Sequence, residues 1–194
     1  MYTVDFSAIE ACQRAGDWQL TAAILADAAR ALERGGADCV VLCTNTMHIV
    51  ADEISAAISI PLLHIVDVTA DAIRAAGQRR VGLLATEFTM SGEFYRARMR
   101  TRGVEIIVPS QPERELVHRI IYDELCHGVI RPESRAAYCK TVADLQMYGA
   151  EAVVLGCTEV ELLLRPEDVA VPLHASTALH AAAAVQFALT DPAL

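Results

Sequence analysis

The chain has 194 residues, 54% of them hydrophobic, enough to build a core in one domain or in two small lobes. Its formal net charge of −9 sets it against phosphate backbones, so nucleic acid is not an expected partner. No apolar run of about 18 residues is free of charge, and the first five residues lack a basic n-region. Neither a membrane span nor a secretory signal is therefore expected, and the cytoplasm is the expected compartment.

Short apolar runs alternate with helical patterns. A helix over 21–34 leads through Gly35-Gly36 to a strand at 40–42, and a helix over 50–58 leads to a strand at 62–66 opened by Pro61. A helix over 69–76 stops at Gly77. Then come a strand at 81–84, a helix over 91–102, a strand at 104–108 and helices over 112–127 and 132–148. Strands at 153–155 and 171–174 and a helix over 177–189 close the order. This alternation predicts an α/β fold with mostly parallel sheets covered by helices. The expected lobes are 1–77, completed by the C-terminal helix 177–194, and 78–176.

The chain also repeats itself. Gly36-Ala37-Asp38-Cys39-Val40-Val41-Leu42 resembles Gly149-Ala150-Glu151-Ala152-Val153-Val154-Leu155. Each copy is followed by a small polar cluster, a helix, and a Pro-Leu…His strand: Pro61-Leu62-Leu63-His64 and Pro172-Leu173-His174. Thr69 and Thr177 follow, each at the place of a helix cap. Two pseudo-symmetric lobes facing each other would bring both polar clusters to one cleft.

Those clusters read Cys43-Thr44-Asn45-Thr46-Met47-His48 and Gly156-Cys157-Thr158-Glu159. Ligands of parallel α/β sheets bind beyond the carboxyl ends of the strands, and helix N-termini there favour an anion such as a carboxylate. The ungapped register pairs Cys43 with Gly156 and Thr44 with Cys157. Of the six cysteines none forms a CxxC pair, so neither a disulfide framework nor a metal site is expected. A scattered Cys ordinarily serves as a small buried hydrophobe. Cys157 is the exception, because a thiol after Gly156 at a helix N-terminus should be accessible and easily ionised. Thr44 reads as a catalytic hydroxyl or a plain cap, and Asn45 and Thr46 as carboxylate binders or turn formers. His48, one turn into a helix, reads first as a packing residue.

These paired motifs, with Asp5-Phe6 ahead of Cys12-Gln13, resemble the aspartate/glutamate racemase family over essentially the whole chain. The resemblance implies two flavodoxin-like lobes around an amino-acid substrate. It implies racemisation at Cα without pyridoxal phosphate or metal, by two residues on opposite faces of the carbon. Those residues map to Cys157 and, where relatives usually carry a second Cys, to Thr44. Asn45, Thr46 and Thr158 map to substrate carboxylate binding, Glu159 to a supporting place beside them, and Gln13 to the cleft. A basic residue for a side-chain carboxylate would come from Arg14 or from Arg114, His118 and Arg119. The resemblance also implies a homodimer, a first six residues that end the family's second strand, and a first lobe without the family's first βα unit. Single-Cys relatives decarboxylate malonates or isomerise double bonds, and an inactive small-acid binder is the remaining alternative.

Overall fold

The computed structural model describes residues 1–190; the last four positions of the expected C-terminal helix, 191–194, lie outside the described residues. The chain packs as two units. One comprises Met1–Cys43 and Met47–His64; the other comprises Thr44–Thr46 and the chain from Ile65 onward. The division thus falls at His64–Ile65 rather than after Gly77, because helix α4 (Ile65–Ala75) packs on helix α10 (Ser176–Leu189) inside the second unit.

In the first unit, helices α1 (Phe6–Ala15) and α2 (Trp18–Arg34) are followed by strand β1 (Val40–Val41). A 3-10 turn (Thr46–Val50), helix α3 (Ala51–Ala56) and strand β2 (Leu62–Leu63) complete it. The first residues do not form the expected strand end. Asp5 instead caps α1 by accepting from the Ser7 N–H at 2.9 Å, satisfying one of the helix's free donors. β1 and β2 pair in parallel, Val40 opposite Leu62. Ile9, Leu25, Ala29, Val40, Val50 and Ile54 form the core of this unit.

The second unit holds a four-stranded parallel sheet ordered β4-β3-β5-β6, with β3 (Arg80–Leu84), β4 (Glu105–Ile107), β5 (Ala152–Leu155) and β6 (Leu173–Ala175). Both sheets are parallel and helix-covered, a mixed α/β arrangement of flavodoxin-like kind. β5 is buried along its whole length, as a strand covered on both faces must be. The helix expected over 91–102 is α6 (Glu93–Thr101), and a short helix that was not expected, α5 (Glu87–Ser91), precedes it across Gly92. There a Cβ would meet the Phe88 carbonyl oxygen at 2.6 Å. Helices α7 (Gln111–Asp123), α8 (Pro132–Met147) and α9 (Val160–Leu163) fill the remaining connections.

Two expected caps are not caps. Thr69 lies inside α4, its hydroxyl donating to the Ile65 carbonyl at 2.7 Å, because the helix starts a turn earlier than its apolar pattern. Thr177 is the second residue of α10, and its N–H is taken by the Glu161 carboxylate at 3.0 Å.

Candidate active site

The polar residues of the second unit gather at the carboxyl ends of β3, β5 and β6. After β5 the chain passes Gly156, whose N–H donates to the Leu84 carbonyl of β3 at 2.8 Å. A Cβ at Gly156 would stand 2.9 Å from Leu83 Cδ1 and 3.0 Å from Ala85 Cβ, so only glycine lets the two strand ends run this close. The next residue is Cys157.

Cys157 is half-buried, and its Sγ lies 2.8 Å from Glu159 Oε2, which also accepts the Thr158 hydroxyl at 2.5 Å. The helix that follows has only four residues and starts at Val160, so its dipole is small and Cys157 lies before it. The expected acidification of the thiol is therefore not found. Burial pushes the Cys157 thiol well up, and the Glu159 hydrogen bond and negative charge push it further. Glu159 goes the other way. Burial raises its carboxyl, but the hydrogen bonds from Cys157 and Thr158 outweigh burial and hold it below the usual carboxylate range.

The segment Thr44–Thr46 joins the same strand ends. Ser176, the first residue of α10, donates its one hydroxyl proton to the Leu155 carbonyl at 2.8 Å. Its Oγ must then accept from Asn45 Nδ2, 3.0 Å away. This chain of bonds fixes which way the Asn45 amide faces. It leaves the buried Oδ1 with no hydrogen-bond partner, an acceptor whose desolvation is uncompensated until a donor arrives. Thr46 Oγ1 lies 3.1 Å from Thr86 Oγ1 and 2.9 Å from Thr89 Oγ1, and the last two lie 3.3 Å apart, so three hydroxyls close a triangle just past β3. Thr44, half-buried, precedes this pair. Cys43 is exposed, with its Sγ 3.6 Å from the Val41 carbonyl oxygen.

The structure thus gathers Asn45, Thr46, Cys157, Thr158 and Glu159 around the ends of one sheet. Gln13 lies on α1 of the first unit, where it is buried with Nε2 3.9 Å from Met47 Sδ and Oε1 unpartnered. His48 is buried and its ring stacks on His64 at 4.4 Å, in keeping with a packing residue. Arg114 and His118 both engage Glu87, directly after Thr86: Arg114 Nε at 3.3 Å from the carboxylate, and His118 Nδ1 accepting the Glu87 N–H at 3.2 Å. Arg119 is exposed. Thr86, Thr89 and Ser176 were not picked out from the sequence. The rule that selects polar residues just past strand ends points to Thr86 and Thr89 beyond Leu84, and to Ser176 once β6 is bounded at Ala175.

A parallel α/β sheet with thiol, carboxylate, amide and hydroxyl groups beyond its strand ends is the frame of an enzyme-type site. Residues 1–184 match the Asp/Glu/Hydantoin racemase family, to which this chain belongs. A solved candidate Asp/Glu racemase from Yersinia pestis is 47% identical, with a TM-score of 0.91, and the match covers 97% of this chain and 83% of that one. An aspartate racemase homologue from Pyrococcus horikoshii is 32% identical with a TM-score of 0.85, the match covering 96% of this chain and 81% of that one. The broad-specificity amino-acid racemase RacX of Bacillus subtilis is 26% identical over 78% of this chain, which spans 65% of RacX's length.

Proposed function

We propose that the chain is a cofactor-independent amino-acid racemase acting on aspartate or glutamate. The observation that supports this best is the gathering of both family motifs at the ends of one sheet: Asn45 tied through Ser176 to the end of β5, two residues before Cys157. In this reading Cys157 exchanges a proton with Cα on one face and Thr44 does so on the other. The unpartnered Asn45 Oδ1 receives the substrate ammonium, the one donor an amino acid always brings. Thr46, Thr158 and the backbone N–H groups beside them take the α-carboxylate. Glu159 stands behind Cys157.

A threonine hydroxyl gives up a proton to a carbanion more readily than it takes one from carbon. Thr44 therefore makes the two directions unequal in kcat. The enantiomers have equal free energy in solution, so kcat/KM must still match, and the inequality has to be offset in KM. The same reading takes the protein as a cytoplasmic homodimer. No helix among the described residues is long and apolar enough to cross a membrane.

The test is proton NMR of L- and D-aspartate and L- and D-glutamate in D2O with the chain and with Cys157→Ala. Loss of the Cα–H signal with the unaltered chain, and its persistence with Cys157→Ala, is the expected result. Retention of the signal for all four substrates would refute the racemase reading. Exchange that survives Cys157→Ala would remove Cys157 from it.

A further inference from the structure

We propose that His118 is a positioning residue of this site. As a neutral acceptor it takes the Glu87 N–H and fixes the turn at Thr86, whose hydroxyl helps Thr46 present its own proton to the substrate carboxylate. The inference rests on the racemase reading, and His118 acts in it through Thr86 and Thr46, not on the substrate.

Helix α5 has Thr86 as its N-cap, but no side-chain cap bond forms. A threonine in that place ordinarily turns its hydroxyl onto the N–H groups of its own helix. The Thr86 hydroxyl instead stands in the triangle, 3.1 Å from Thr46 Oγ1 and 3.3 Å from Thr89 Oγ1. The first N–H of the helix is left to another acceptor, and α7 supplies it: His118 Nδ1 accepts from Glu87 at 3.2 Å. Arg114, four residues earlier on the same face of α7, holds the Glu87 carboxylate with its Nε at 3.3 Å. Glu87 is thus tied to α7 through main chain and side chain together. The imidazole is itself held, by the Tyr122 ring at 4.6 Å between centroids and by Phe88 edge-on at 5.8 Å.

Three hydroxyls share three protons. When Thr86 and Thr89 both donate to Thr46 Oγ1, the Thr46 proton is left for an anion outside the triangle. If the turn at Thr86 slips, Thr46 loses one of these donors and can turn its proton inward, onto Thr89. His118 holds the turn only while Nδ1 carries a lone pair, because an imidazolium has N–H on both nitrogens and nothing to accept with. Burial holds the His118 pKa below its ordinary 6.5, opposed in part by the charges of Glu87 on α5 and Asp123 on α7. From α8, Tyr138 donates to the Val117 carbonyl at 2.9 Å and burial keeps it neutral, while Cys126 and His127 in the turn after α7 are exposed. The ring is therefore neutral at neutral pH and takes its proton in acid.

The test measures KM and kcat for aspartate and glutamate on the full chain, by Cα–H exchange, from about pH 8 down to about pH 5. For the unaltered chain KM should rise as His118 takes its proton, with kcat little changed, because Thr46 holds the carboxylate in ground state and transition state alike. His118→Asn puts an amide oxygen near the place of Nδ1 without a titrating group. Its KM should match the unaltered chain at neutral pH and stay level in acid. His118→Leu has no acceptor, so its KM should be raised about tenfold at every pH, the worth of one hydrogen bond. A merely structural histidine would lower the folded fraction, and with it kcat, and leave KM alone. If His118→Leu fails to fold, the profiles of the unaltered chain and His118→Asn still decide. A KM of the unaltered chain that stays level in acid, the same acid rise in His118→Asn, or an unchanged KM in a folded His118→Leu would each overturn the proposal. So would a KM that falls in acid, which would make His118 a cation for the substrate side chain. Absence of exchange by the unaltered chain would instead refute the racemase reading itself, and so the two failures are distinct.

Discussion

The two copies of the repeated strand unit enter their strands alike and then diverge. Gly36 and Gly149 both take positive φ, 86° and 93°, where a side chain would be strained. Val40 and Val153 then donate to the carbonyls of Pro61 and Pro172, each at 2.9 Å. Beyond that point β1 is two residues long in a two-stranded sheet, whereas β5 is four residues long and pairs on both sides in the centre of a four-stranded one. Identical sequences, Val40-Val41-Leu42 and Val153-Val154-Leu155, thus differ in strand length because their neighbours differ, not because their propensities do. The chemistry divides along the same line. At matched positions Thr44-Asn45-Thr46 offers hydroxyls and an amide, whereas Cys157-Thr158-Glu159 offers a thiol, a hydroxyl and a carboxylate.

The largest expected effect tests the difference in packing. Leu155, 2% exposed in the core of the second unit, should cost about 2–5 kcal/mol as Leu155→Ala. Its counterpart Leu42 is half-buried at the margin of the smaller core, so Leu42→Ala should cost about 1 kcal/mol. Urea unfolding of the pair measures the gap. Equal losses would show that the two copies are equally embedded after all.

Next is the residue that ends each strand. Gly156→Ala drives a methyl against Leu83 and Ala85 and should destabilise by about 1–3 kcal/mol. Cys43, its partner in the repeat register, already carries a side chain in the open, so Cys43→Ala should stay within about 0.5 kcal/mol of the parent. A neutral Gly156→Ala would mean that the strand ends can part without penalty.

These contrasts also mark what the sequence makes legible. The alternation of elements, the parallel pairing and the two polar clusters follow from glycines, apolar runs and an internal repeat, all local features. Helix α1 escapes because its signal, Asp5 as a cap ahead of a weakly apolar face, is easily read as the end of a strand. The unit boundary escapes because α4 packs on α10, more than a hundred residues later, and no local pattern records that partner. Cys157 is misjudged electrically for a similar reason. Its neighbours in sequence suggest a helix N-terminus, but burial and the rotamer that brings Glu159 to 2.8 Å decide its proton. Ser176 becomes a candidate only when β6 is seen to end at Ala175, whereas Thr86 and Thr89 lie past a strand end the pattern already places at Leu84 and are marked out only by the approach of Thr46 from a distant part of the chain.

Thr44→Cys sharpens the chemical side of the comparison by placing a thiol in the first copy at the register position that Cys157 holds in the second. On the racemase reading, the direction in which Thr44 must take the proton should gain about tenfold in kcat, equivalent to about 1.4 kcal/mol in the barrier. The enantiomers' kcat values should also move closer together. Deuterium incorporation from each enantiomer, followed separately, reads this out. No change in either direction would remove residue 44 from the proton path.

The smallest effect concerns the histidines that close the two Pro-Leu…His strands. His64 stacks on His48, whereas His174 is half-buried, with its Nε2 2.6 Å from Gln78 Oε1. Burial holds the His174 pKa below its ordinary 6.5. The unfolded chain therefore binds a proton near pH 6.5 that the folded chain refuses, and stability falls as pH drops below that value. Above it the imidazole is neutral in both states and contributes no slope. His118 acts in the same direction: burial lowers its pKa, only partly opposed by Glu87 and Asp123, and protonation would cost it the bond it accepts from the Glu87 N–H. The hydrogen-bonded carboxylates of Glu33 and Glu151 join only below their ordinary 4.5, which leaves the window between 4.5 and 6.5 to the histidines. The free energy of unfolding should thus be level above about pH 7 and decline through this window, and His174→Gln and His118→Gln should each flatten the decline. A slope unchanged in both variants would remove His174 and His118 as its origin.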